Sequence, residues 1–159
     1  MIEQMCFSNA LLEGSKEVFE TMIFMDLTES TDPEQKIEDD SFLGSITFRG
    51  EIEGCLAICC GAPCAKNIAT NMLGMDSMEE ISREEICDAL GEVTNMVMGS
   101  VKSRIQDHTG DLQVSIPTVV MGRKLQNSLG EGANRVMVKV SAENEYLVEF
   151  SFLYRESSE

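Results

Sequence analysis

The chain has 159 residues, 43% apolar and 25% charged, the balance of an ordinary globular protein and not of a disordered one. Its formal net charge of −16 argues against nucleic acid as a partner, because phosphate contacts need clustered Lys and Arg. No apolar run approaches the ~20 residues that span a bilayer, and Met1-Ile-Glu-Gln-Met-Cys6 lacks a secretory signal pattern, which predicts one cytoplasmic domain over residues 1–159 with no membrane partner.

In chain order, residues 8–25 place Leu11, Val18 and Met22 at helical spacing with Phe19 alongside, and predict a first helix. Residues 26–40 carry seven carboxylates against Lys36 alone and include Pro33, which reads as an acidic, solvated connection. Residues 41–48 and 51–60 are strand-like runs around Arg49-Gly50, a hairpin. A short helix follows from about Pro63 to Leu73, with proline in its first turn and Gly74 as its stop. Ser77-Met-Glu-Glu80 carries the capping-box pattern that opens a long helix. That helix is predicted to run to about Asp107, with His108 suited to its C-terminal dipole and Gly110 in the loop beyond. Residues 112–116, 119–121, 135–140 and 146–153 read as strands, and residues 122–134 as a flexible, glycine-containing link.

Six cysteines without a signal peptide read as reduced thiols. Cys55, Cys59, Cys60 and Cys64 invite a metal, but geometry opposes it. Four strand residues span about 13 Å, whereas thiolates sharing one zinc each sit about 2.3 Å from it. Cys60 points to the opposite face, and Pro63 starts a new element. These cysteines are read as buried small hydrophobes, with no metal or cofactor of the chain's own expected.

The long helix carries the most informative segment. At 100° per residue, Ile86, Leu90, Val93, Val97 and Val101 share one face. Asp88, Glu92, Asn95 and Gly99 share the opposite one. Glycine inside a helix costs about 1 kcal/mol relative to alanine. At Gly99 it removes the side chain that would crowd Asn95 from one turn away. The wheel leaves two readings open: a solvated face with a tolerated glycine, or a place where a partner's backbone approaches.

An internal repeat at an offset of 75 residues superposes Glu17-Val-Phe-Glu20 on Glu92-Val-Thr-Asn95. It also aligns Leu11, Val18 and Met22 with Ile86, Val93 and Val97. Asn95 then corresponds to Glu20 and Gly99 to Phe24, so the first copy lacks the amide and fills the gap. The predicted fold is α+β: two long helices covering one face of a mainly antiparallel sheet with approximate internal two-fold symmetry.

These residues resemble the CheC/CheX/FliY phosphatases of bacterial chemotaxis. The family pattern sets Asp or Ser four residues before Glu, Asn three after it, and Pro about two dozen residues later; Asp88, Glu92, Asn95 and Pro117 match it. The run Glu92-Val-Thr-Asn-Met-Val-Met-Gly-Ser-Val-Lys-Ser103 is similar to the family's signature helix, and Leu112-Gln-Val-Ser-Ile-Pro-Thr-Val-Val-Met-Gly122 to the strand and turn after it. One intact Glu/Asn pair, and no room for a flagellar-switch domain, resemble the CheX branch. The resemblance implies hydrolysis of the aspartyl phosphate on a CheY-type response regulator, in chemotaxis or another two-component pathway, by a homodimer joined through its sheets. It implies water positioning for Asn95, pairing with the regulator's lysine for Glu92, and supporting places for Asp88, Gly99 and Pro117. Magnesium would belong to the regulator. A non-catalytic module gripping a response regulator, and an unrelated small-molecule or metal-binding protein, remain as alternative readings.

Overall fold

Two hairpins lie side by side at the centre of the molecule, and everything else is arranged around them. The computed structural model describes residues 2–30, 32, 34–37, 40–74 and 81–157. In chain order its elements are α1 (Ile2–Val18, continued by a π-helical turn, Phe19–Ile23), β1 (Leu27–Glu29), β2 (Ser41–Arg49), β3 (Ile52–Gly61), α2 (Ala62–Leu73), α3 (Arg83–Thr109), β4 (Gln113–Val114), β5 (Thr118–Gly122), β6 (Asn134–Ala142) and β7 (Tyr146–Glu156). The fold is α+β. Its antiparallel sheet runs β1-β6-β7-β3-β2, with β4 and β5 pairing successive stretches of the outer side of β2. Hairpins β2–β3 and β6–β7 meet along β3 and β7, where Leu56 opposes Phe152 and Ile58 opposes Phe150.

The sheet is pleated, so alternate side chains of β3 and β7 face the helices. Leu56, Ile58 and Cys60 from β3, with Val148, Phe150 and Phe152 from β7, are completely buried there. Phe7 of α1 meets Phe152 and Tyr154 edge-on at 5.4 and 4.8 Å, and Phe48 stacks on Phe152 at 4.8 Å. Such aromatic contacts add about 0.5–1.5 kcal/mol each beyond area burial. The helices thereby cover one face of the sheet.

Several elements differ from their sequence reading. The first helix begins at Ile2 and ends in the π-helical turn, whose extra residue rotates the chain. Ile23 is consequently buried and Met22 half exposed, so Met22 is not the core position the repeat assigned to it. Phe24 ends the helix at φ 60° in the left-handed region, its N–H donating to the Phe19 carbonyl. It is a cap, exposed to solvent, and does not stand where Gly99 stands in α3. The acidic connection contains an edge strand, β1, because Leu27 buries itself beside Ala142 of β6.

The capping box that opens α3 belongs to Ser82 and Glu85. Ser82 Oγ accepts from the Glu85 N–H at 3.1 Å, and the Ser82 N–H donates to Glu85 Oε1 at 3.0 Å. The predicted box at Ser77 and Glu80 lies outside the described residues. Residues 122–134 must cross the sheet from β5, at one edge, to β6, near the other. They are pinned on the way: the Cys55 thiol donates to Asn127 Oδ1 at 3.3 Å, and Asn127 Nδ2 donates to Ser151 Oγ at 3.3 Å.

Cys55, Cys59, Cys60 and Cys64 are all buried. Burial raises the Cys55 thiol and pushes that of Cys59 up to about 11. Cys60, hydrogen-bonded to Cys64 and enclosed, lies well above the ordinary thiol value. All three are neutral thiols at physiological pH.

Candidate functional site

The 27 residues of α3 are held by a buried stripe of Ile86, Leu90, Val93, Val97 and Val101, each no more than 3% exposed. Asp88, Glu92, Asn95 and Gly99 are all exposed on the other side, over about 16 Å of helix axis at 1.5 Å per residue. Glu92 and Asn95, three residues apart, are surface neighbours with Cβ atoms about 5–6 Å apart. A Cβ built on Gly99 meets nothing within 4 Å. Packing within the chain gives no reason for glycine there, and the helix surface beyond Asn95 is open.

Two contacts hold this surface in place, one of them a close approach, and neither pairing was singled out from the sequence. Thr94 faces inward, fully buried, and its hydroxyl donates to the Leu90 carbonyl at 2.7 Å. A Cβ on Gly44 of β2 would lie only 2.3 Å from Thr94 Oγ1, so the strand at Gly44 admits the helix only because it bears no side chain. On the other flank, a Cβ on Gly91 would lie 3.7 Å from both Pro117 Cγ and Val119 Cγ2. Pro117 therefore sits against the helix one residue from Glu92. Lacking an N–H, it also interrupts the β2 ladder between β4 and β5, while Ser115 Oγ accepts from the Thr47 N–H at 3.0 Å just before the break. A glycine within a strand run and a threonine beside Asn95 were the available signals; their pairing was not readable. Around Pro117, Val114, Ile116, Val120 and Met121 form an exposed apolar edge.

The first helix is tied to the same helix and does not stand apart. Glu17 Oε1 accepts from Ser100 Oγ at 3.0 Å, and Oε2 pairs with Arg104 Nη2 at 3.2 Å. His108 is exposed in the last turn of α3, away from the stripe.

Solved structures share this architecture. The chemotaxis protein CheX from Vibrio vulnificus is 25% identical and superposes with a TM-score of 0.78, over 94% of this chain and 96% of that one. CheX from Desulfovibrio desulfuricans gives 0.77 at 19% identity, over 94% and 99%. The CheX–CheY–BeF3–Mg2+ complex from Borrelia burgdorferi gives 0.73 at 17% identity, over 93% and 97%. Sheet, helices and connectivity thus define a protein of the CheC-like class of chemotaxis folds. The sequence model of the chemotaxis phosphatase CheX matches residues 42–141, which include the α3 stripe and Pro117, and the chain belongs to the CheX family. Among curated proteins none matches the sequence.

Proposed function

We propose that this chain hydrolyses the aspartyl phosphate of a CheY-type response regulator, in chemotaxis or a related two-component pathway, with Asn95 and Glu92 as the working pair. The observation that carries the proposal is the exposed Glu92–Asn95 pair on a rigidly seated helix, open beyond Asn95 at Gly99, in a CheX-family chain. The relative captured with CheY, BeF3 and Mg2+ supports a partner of that kind.

An acyl phosphate is intrinsically reactive, so the phosphatase's task is chiefly to place water in line with phosphorus. Asn95 accepts a hydrogen bond from that water through its carbonyl and donates through its amide, without titrating. The water oxygen bonds to phosphorus, the bond from phosphorus to the aspartyl oxygen breaks, and carboxylate and inorganic phosphate leave. Glu92 pairs with the regulator's active-site lysine and sets the register of the two proteins. Mg2+ is the regulator's. Asp88 extends the contact surface, Gly99 admits the regulator's backbone, and Pro117 buttresses the helix at Gly91. The active form is a homodimer joined through its sheets, a contact that the exposed apolar edge around Pro117 supports, with two equivalent sites.

Phosphate release from an acetyl-phosphate-charged regulator tests this reading. Glu92→Gln is expected to weaken regulator affinity by about tenfold or more, as loss of a desolvated interfacial charge pair does. Wild-type affinity falls as salt screens that pair, and the variant's falls less. Affinities of both proteins at two ionic strengths check this; equal affinity and equal salt response remove the role of Glu92. A chain that binds the charged regulator without accelerating phosphate release is a binding module and not an enzyme.

The Glu17–Arg104 pair is exposed, and such pairs contribute about 0–1 kcal/mol. A carboxylate at Glu20 has no amide donor and would repel a phosphoryl group. Glu17→Ala and Glu20→Ala are therefore expected to leave turnover near the wild-type rate, with one regulator bound per chain. Titration decides this: two regulators per chain, or a large loss in the double variant, defeats the one-site arrangement.

A further inference from the structure

The face of the sheet turned away from the helices holds a cleft of about 410 Å³, within the roughly 300–1,000 Å³ range of small-molecule sites. Outward-facing residues of β2, β3, β6 and β7 form its floor. The crossing link and the segment 36–37 form its walls. Both walls are anchored, the link by Asn127 and the segment beside it by Lys139 Nζ donating to the Gln35 carbonyl at 2.9 Å.

Its charge is opposite to that of the chain. Among the described residues, four of the protein's 12 Lys and Arg line it, namely Lys36, Lys124, Arg135 and Lys139, against one carboxylate, Glu149. Glu149 lies directly across from Lys139 in the β6–β7 register, so that carboxylate already has a cation beside it. Lys36, Lys124 and Arg135 form no salt bridge with a carboxylate among the described residues. In a chain of net charge −16, leaving three cations without such a partner around one concavity is the reverse of what composition alone would distribute. Lys124 also stands at φ 52°, a left-handed backbone that non-glycine residues seldom adopt and that clusters at ligand sites. The thiol of Cys59 in the floor is neutral, since burial holds it up to about 11, and adds no repulsion. Ile37 and Leu125 in the walls and Leu43 and Met137 in the floor supply apolar surface, more than an inorganic ion would use.

We propose that this cleft is a second binding site, for a small organic polyanion of about nucleotide size whose phosphate or carboxylate groups meet the Lys36, Lys124 and Arg135 cluster while an apolar or planar body lies on the aliphatic wall. It lies on the face of the sheet opposite the helices, and α3 turns its polar stripe away from that sheet, so its existence does not depend on the phosphatase reading.

Calorimetric titration of the full chain with ATP, AMP, citrate and inorganic phosphate, at low and high salt, tests it. At least one of the three organic anions is expected to bind one per chain, weakening with salt, while inorganic phosphate binds at least about tenfold more weakly for want of the apolar contact. ATP or AMP against citrate identifies phosphate or carboxylate as the recognised group. Lys124→Gln combined with Arg135→Gln is expected to weaken that binding about tenfold or more with an unchanged melting temperature, whereas Arg83→Gln, at the start of α3, leaves it unchanged. No binding by any organic probe, inorganic phosphate binding as well as they do, or equal affinity in the double variant each overturns the proposal.

Discussion

Asn95→Ala is expected to keep the fold and the regulator affinity and to lose about a hundredfold or more of the dephosphorylation rate, the scale set by removing a single oriented transition-state contact. The side chain is exposed and outside the apolar stripe of α3, so folding stability should change by no more than about 0.5 kcal/mol. Two further variants separate its two hydrogen-bonding functions. Asn95→Asp keeps an acceptor but loses the amide donor and faces the phosphoryl group with a charge, so it should fall at least as far as alanine. Asn95→Gln keeps both functions one methylene out of place, and misplacement on that scale costs up to about a hundredfold. Single-turnover decay of the phosphorylated regulator is the measurement. Turnover near the wild-type rate in Asn95→Ala would end the water-positioning assignment.

The second large effect is expected at a residue with no functional group. Gly44→Ala puts a methyl group 2.3 Å from Thr94 Oγ1, with Leu90 Cγ next at 3.4 Å. Strand β2 cannot retreat easily, because it is hydrogen-bonded to β3 on one side and β5 on the other. The helix must give way, and overpacking of this sort costs about 1–3 kcal/mol. Because Thr94 adjoins Asn95, the same displacement should lower turnover even where most of the protein remains folded. Thr94→Ala removes the hydroxyl that the new methyl meets, so in that background the Gly44→Ala cost should fall below about 1 kcal/mol. Urea unfolding of the four proteins in this double-mutant cycle measures the coupling. An identical cost in both backgrounds would show that the close approach does not seat the helix.

Periodicity was enough to assign most elements. The hairpins at β2–β3 and β6–β7, the short helix ended by Gly74 at φ 65°, and the inward and outward faces of α3 follow from local spacing, capping chemistry and turn residues. These signals act over a few residues, so one chain read in order exposes them. The mainly antiparallel sheet stated with the repeat is also present, with β3 and β7 meeting at its centre. The polar stripe of Asp88, Glu92, Asn95 and Gly99 was legible for the same reason, being a matter of angle around one helix.

What depended on tertiary structure was everything set by contacts between distant segments. Helical periodicity assigned Met22 to the core, but the π-helical turn buries Ile23 in its place, and Asn71 of α2 donates to the Ile23 carbonyl at 3.0 Å. The acidic segment yields an edge strand because β6 offers Leu27 an apolar neighbour. The link that composition marked as flexible is fastened by Asn127 between Cys55 and Ser151, residues 72 and 24 positions away. Gly44 with Thr94 is a close approach of two distant parts of the chain, and Pro117 packs at ordinary contact distance on Gly91; neither member announces its partner. The basic residues of the sheet-side cleft are likewise scattered from Lys36 to Lys139. Which side chains share a helix face or a strand face is local geometry, and that is readable along one chain. The packed structure alone sets which backbones approach closely enough to exclude a Cβ, and where basic charge gathers, because both depend on distances between segments that local periodicity does not encode.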